Sequence, residues 1–204
     1  MSLAVLVQAP SAGAEQSMTA PPSMALMSAD AFWAIIDRTV TLEADPEQQL
    51  AALRIELEVL SADEVVAFTN AFEQQLRRAY RWDLWAVAYI AQDWASDDGF
   101  EYFRRWLVSR GRGVFEQVLA DPDSLADLVA PGRKGMLVFE EFAVVSWDVW
   151  GAKTGQAPNE IPMTFDFMTL LVEPDGEPFP EDPDALALAY PRVWARFGEN
   201  PLGF

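Results

Sequence analysis

Apolar residues recur along most of the chain at three- and four-residue spacing, the period of a helix with one buried face. Asp30 stands as an N-cap before AFWAIIDR, with Phe32, Ile35 and Ile36 on one side. Asp45-Pro46 pairs a cap with proline at the first helical position, and Leu50, Leu53, Leu57 and Leu60 form the stripe that follows. Ser61 and Glu64 make a capping box. It opens a long helix with Val65, Phe68, Phe72, Leu76 and Ala79 on one side. Glu73 and Arg77 can pair at i, i+4 on that helix. The two segments are expected to fold back as an antiparallel helical hairpin.

Residues 82–91 are apolar nearly all round, which predicts a central helix. Ser96 then caps DDGFEYFRRWLVSR, with Phe100, Phe103 and Leu107 on one face and Gly111 and Gly113 at its end. VFEQVLA reads as a short helix, Asp121-Pro122 starts another turn, and Pro131-Gly132 breaks the chain. A helix is expected over 136–150, with Phe139, Phe142, Ala143 and Trp150 inward. Val144, Val145 and Val149 make a strand the local competitor there. Residues 155–184 hold six prolines and read as loop, with room for a short helix from Asn159 to Leu171. Asp182-Pro183 and Pro191 start two last short helices ending near Phe197. No alternating strand pairs with hairpin turns stand out. The fold class is all-α: an irregular helical bundle spanning 28–204, with a Pro-rich, acidic C-terminal region. Residues 1–27 lack either periodicity and carry one charge, Glu15, so they read as a disordered or loosely docked arm. An ordered arm would suit a swapped homodimer contact.

Of 204 residues, 51% are apolar, and no run is long enough to predict a transmembrane helix. The chain has no His and no Cys. That excludes a Ser-His-Asp triad, a thiol nucleophile, a disulfide and a Cys-based zinc site. No cofactor motif is present. With 14 basic and 32 acidic residues the net charge is −18, which argues against nucleic acid as a partner. Arg dominates the basic residues, as in a GC-rich bacterial genome. The lack of cysteine and of a basic leader fits a cytoplasmic protein. Between Lys153 and Arg192 there are eight acids and no basic residue. This stretch reads as a solvated surface, with docking of a basic partner as the sharper alternative.

The densest chemistry runs from Tyr80 to Trp106, where four of the eight tryptophans fall. One reading is core packing; the other is an aromatic-walled pocket in which Asp and Arg orient a ligand. The candidate ligand-binding residues are Trp82, Asp83, Trp85, Asp97, Asp98, Glu101, Arg105 and Trp106. Asp97, Asp98 and Glu101 spell D-D-x-x-E, one helical turn that invites comparison with a Mg²⁺-binding motif. Capping by Ser96 and a Glu101–Arg105 pair explain the same residues without a metal. Asp83 is either an acid raised by burial between Trp82 and Trp85 or a bridge to Arg81, Arg104 or Arg105. Asp121, Asp123 and Asp127 hint at a calcium loop, but Ala126 and Gly132 stand where it needs Gly and Glu. The Gly132–Gly135 turn carries Arg133-Lys134 and reads as a basic turn.

These stretches also carry a likeness. D-A-F-W-A-I-I-D (30–37), A-Y-R-W-D-L-W-A (79–86), S-D-D-G-F-E-Y-F-R-R-W-L (96–107), A-D-P-D-S-L-A-D (120–127) and P-R-V-W-A-R-F (191–197) resemble the bacterial domain-of-unknown-function family 4240. The resemblance covers roughly residues 28–197 and implies one small domain, of a kind frequent in actinobacteria; it supplies no mechanism. The chain departs from the pattern at 92–95, Gln-Asp-Trp-Ala, where the family carries a small glycine-containing loop. Trp94 there would narrow a pocket beside Asp97 and Asp98. Two functional readings follow: a binding module for a protein or small molecule, and a small enzyme of specialised metabolism with a carboxylate-based site.

Overall fold

A computed structural model describes residues 27–40, 45–93, 95–133, 135–164 and 173–203. The N-terminal arm, save Met27, therefore lies outside the described residues; Met27 packs against the core. The described secondary structure is helical, with one isolated parallel bridge between Arg81 and Asp175. The helices are α1 (Ala29–Asp37), α2 (Pro46–Glu58), α3 (Ala62–Arg78), α4 (Trp82–Gln92), α5 (Asp97–Ser109), α6 (Gly111–Ala120), α7 (Leu125–Leu128), α8 (Glu141–Thr154), α9 (Pro183–Ala189) and α10 (Pro191–Val193). A π turn, Trp194–Gly198, continues α10.

Local signals explain most boundaries. The Asp45 side chain accepts from Gln48 N–H, and Ser61 and Glu64 exchange both capping-box bonds. The first cap differs from expectation: Ser28, two residues before Asp30, accepts from Ala31 N–H. That frees Asp30 to pair with Arg112. Gly111, not Gly113, marks the break after α5; Gly113 lies inside α6. Gly111 has φ +87°, and a Cβ there would sit 2.7 Å from Asp37 Oδ1. The same Asp37 oxygen accepts from Arg112 N–H, satisfying one free donor at the start of α6.

Helix α8 starts at Glu141, so residues 136–140 are not part of it as the sequence had suggested. Over Val144–Val149 helix prevails against the β-branched preference, because α8 fills the seam between α2 and α3. Those two helices pack chiefly on α8 rather than on each other, which replaces the expected hairpin. Glu73 and Arg77 form no ion pair either; Arg77 approaches Asp175 instead, at 3.8 Å. Pro158–Glu160 forms one 3₁₀ turn and 161–164 is irregular, while the rest of the helix expected at Asn159–Leu171 lies largely outside the described residues.

The core joins α1, α3, α5, α6 and α8 through Phe32, Trp33, Phe68, Phe72, Phe103, Phe115 and Phe142, all nearly inaccessible. Each contributes roughly 1.5–3 kcal/mol by burial. Polar ties fix the helix ends. Buried Gln49 donates to Ser109 O at 2.8 Å and accepts from Arg110 at 2.7 Å, linking α2 to the end of α5. Asn70 Oδ1 accepts from Thr164 N–H at 2.6 Å and from its hydroxyl at 2.7 Å, holding the loop after α8 against α3.

The C-terminal residues are stapled on by side chains as well as by packing. Arg192 pairs with Asp121, Asp123 and Asp127 at once. Asp123 also accepts from the backbone N–H of Arg192 and of Val193, capping α10. Arg196 donates to Ala126 O and Ala130 O, and Leu202 N–H donates to Ala91 O. The aspartates that suggest a calcium loop are thus the acceptors of an arginine clamp.

Candidate functional site

Two helices, α3 and α5, bring most of the chemistry together. On α3, the face beside the buried Phe72–Leu76 stripe presents Glu73 and Arg77. On α5, the first turns present Asp97, Asp98, Glu101, Arg104 and Arg105, because Phe100, Phe103 and Leu107 take the opposite face into the core. These residues, with Leu76, Tyr80, Trp147 of α8 and Met163, line an open cleft of about 580 Å³. That volume suits a small molecule.

Ser96 caps α5 by accepting from Gly99 N–H at 3.1 Å, so neither Asp97 nor Asp98 is needed as the cap. Both stand exposed at the cleft rim, favoured there by the helix dipole. Glu101 pairs with Arg105 one turn on, as its spacing predicts. Arg105 also donates to Glu140 O at 2.8 Å. Arg104 donates to Leu76 O at 2.9 Å and lies over the Tyr80 ring, 4.8 Å from its centroid. Burial pulls the Arg104 guanidinium down to about 10, against the pull of Glu101, Tyr80 and Glu73. Tyr80 is pushed up by its own burial, partly opposed by Arg104.

Glu73 sits in the cleft wall. Burial raises its carboxyl to about 7, with Arg105 opposing that rise and Glu101 adding to it. Among the described residues no side chain donates a hydrogen bond to Glu73, Asp97 or Asp98. Trp147 Nε1 is buried and likewise has no acceptor. Among the described residues no group of three or more acids is placed to hold a metal ion, and in D-D-x-x-E the Glu101 carboxylate faces Arg105.

Of the eight candidate residues, Asp97, Asp98, Glu101 and Arg105 line the cleft. Trp82, Asp83, Trp85 and Trp106 do not. Trp82 stacks on Trp85 at 5.3 Å, Trp85 on Phe100 at 4.7 Å, Phe100 on Phe103 at 6.2 Å and Phe103 on Trp106 at 5.8 Å. Their ring faces are spent in this internal ladder, and Trp85 Nε1 donates to Ala95 O. Asp83 pairs with Arg81, the bridging role among its two readings. The sequence reading missed Glu73 as a site residue, along with Arg77, Tyr80, Arg104 and Trp147. A signal for Glu73 was present: an acid one position after Phe72 on an otherwise apolar stripe borders the buried face.

A protein-family model, described as "Protein of unknown function (DUF4240)", matches residues 27–152, more than half of the chain. The chain belongs to this family. The DUF4240 match includes α1 to α7 and most of α8, and so every cleft residue except Met163. No curated protein and no solved structure matches the chain. Asp93, at the end of α4, has φ +58°, the sole described non-glycine residue with positive φ. A left-handed C-cap is where glycine is ordinarily placed, and Asp is among the side chains that tolerate it. Trp94 itself lies outside the described residues.

Proposed function

We propose that the chain is a binding module for a small molecule, which it holds in the cleft between α3, α5 and α8. The convergence of Asp97, Asp98, Glu101 and Arg105 with Tyr80 and Trp147 around about 580 Å³ carries this reading. Charged groups on stiff helices around an apolar floor fix a ligand's orientation at low entropic cost. Residues 28–204 act as one domain in this reading, supported by the clamp of Arg192 on Asp121, Asp123 and Asp127.

Native mass spectrometry of protein purified gently from its host tests the proposal. A discrete added mass of small-molecule size is expected. It should be lost in Met163→Trp, which places bulk in the cleft. An added mass that survives this substitution, or a bare polypeptide under the gentlest conditions, overturns it.

Glu73 favours a second reading, a small enzyme. A carboxyl held near neutrality can both give and take a proton at physiological pH. Glu73→Gln would then abolish turnover of the bound molecule while leaving its binding in place. Unchanged turnover in that variant removes the enzyme reading and leaves the binding module intact.

A further inference from the structure

Resting on the reading that the cleft holds a small molecule, we infer that its ligand is an organic cation: a protonated amine on an apolar or aromatic body. The inference follows from which charges in the cleft are already spent. Arg105 is committed to Glu101 and to Glu140 O. Arg104 is committed to Leu76 O and to the faces of Tyr80 and Phe100, at 4.8 and 5.1 Å. Arg77 faces Asp175 at 3.8 Å and the Tyr80 ring at 5.7 Å. The carboxyls of Glu73, Asp97 and Asp98 receive no hydrogen bond from any described residue. With Arg77 and Arg105 each facing an acid, Arg104 alone stands against Asp97 and Asp98, so the balance of charge in the cleft is negative.

An anionic ligand would lie beside the Asp97 and Asp98 carboxylates, which no described side chain neutralises. A cation meets those groups directly, and like-charge avoidance thus selects the ligand's sign. The remaining wall takes the body of such a molecule. Leu76 and Met163 are apolar, and Trp147 offers a ring with no described cation over it, the better kind of face for an ammonium group. The net charge of −18 draws cations toward the molecule as a whole.

Isothermal titration at low salt with three near-isosteric probes tests the inference: 2-phenylethylamine, 2-phenylethanol and 3-phenylpropanoate. The amine is expected to bind about tenfold or more tighter than the alcohol, with the carboxylate weakest, as for charge-selected binding. The double variant Asp97→Asn/Asp98→Asn leaves α5 capped by Ser96, as circular dichroism would check. It should erase the preference for the amine over the alcohol. Glu177→Gln/Glu181→Gln lowers the overall charge equally but lies outside the cleft, and should keep that preference.

Equal loss in both double variants means attraction to net charge alone and overturns the inference. So does carboxylate binding as tight as the amine, or no heat from the amine. Carboxylate binding as tight as the amine and abolished by Met163→Trp would overturn the cationic class while sustaining the cleft as the site.

Discussion

Asp121, Asp123 and Asp127 converge on one guanidinium, whereas Glu73, Asp97 and Asp98 share a cleft in which every nearby arginine is engaged elsewhere. Both groups are triads of carboxyls and look alike in composition. They differ in where the matching cation comes from. Arg192 lies 65 to 71 residues beyond its three aspartates, and the C-terminal helices bring it back. Those carboxylates hold the Arg192 proton more tightly, Asp121 first. In the cleft, burial instead keeps the Glu73 carboxyl from ionising, with Arg105 opposing it. One acidic cluster is therefore a fastening and the other is poised for a ligand.

Glu73 offers the largest way to sharpen that contrast. Its folded value of about 7 lies above the ordinary 4.5 of a glutamate, so the folded state holds a proton that the unfolded chain releases first. The contribution of Glu73 to stability must then fall as pH rises from about 4.5 to about 7 and level off above that. Glu73→Gln removes the penalty. Urea unfolding should show the variant more stable by about 1–3 kcal/mol near pH 8 and matched to the wild type near pH 4. Equal stability at both would mean that the Glu73 carboxyl is well solvated, and the contrast would break.

On the clamped side Asp123→Ala comes next. It removes the acceptor for two backbone N–H groups at the start of α10, besides the arginine. Loss of a cap costs about 1–2 kcal/mol, measurable by urea unfolding. Arg192→Gln should act more locally. It leaves three carboxylates facing one another, so amide hydrogen exchange should quicken over residues 183–198 before the rest of the molecule. Uniform acceleration would mean that the clamp carries global rather than local stability.

Much of the fold could be read from spacing and caps. Asp45, Ser61 and Ser96 each open a helix as their side chains suggest, and the α3 and α5 stripes are buried where periodicity puts them. Those are local signals. The α2–α3 hairpin failed for a non-local reason, yielding to α8, while the α1 cap fell to Ser28 because Asp30 already lies inside the helix. The site divides in the same way. Asp97, Asp98, Glu101 and Arg105 share one helix face and were legible together. Tryptophan density was misleading as a pocket signal, because Trp82, Trp85 and Trp106 spend their faces on each other and on Phe100 and Phe103. Glu73 and Trp147 reach the cleft from α3 and α8, and no one-dimensional pattern joins those helices to α5.

The smallest expected effect tests the comparison most directly. If the cleft aspartates were framework groups like Asp123, removing them would cost stability. Ser96 already accepts the Gly99 N–H, and neither Asp97 nor Asp98 receives a hydrogen bond of its own. Ser96→Ala should therefore cost about 1 kcal/mol. Asp97→Asn/Asp98→Asn should stay within about 0.5 kcal/mol of the wild type, as exposed substitutions ordinarily do. Thermal unfolding of the two variants side by side reads the difference. A loss in the aspartate variant as large as that in Ser96→Ala would place these side chains with the clamp residues. Near-neutrality would leave them free for the chemistry of the cleft, since a pair of uncompensated charges that adds nothing to the fold is available to a ligand.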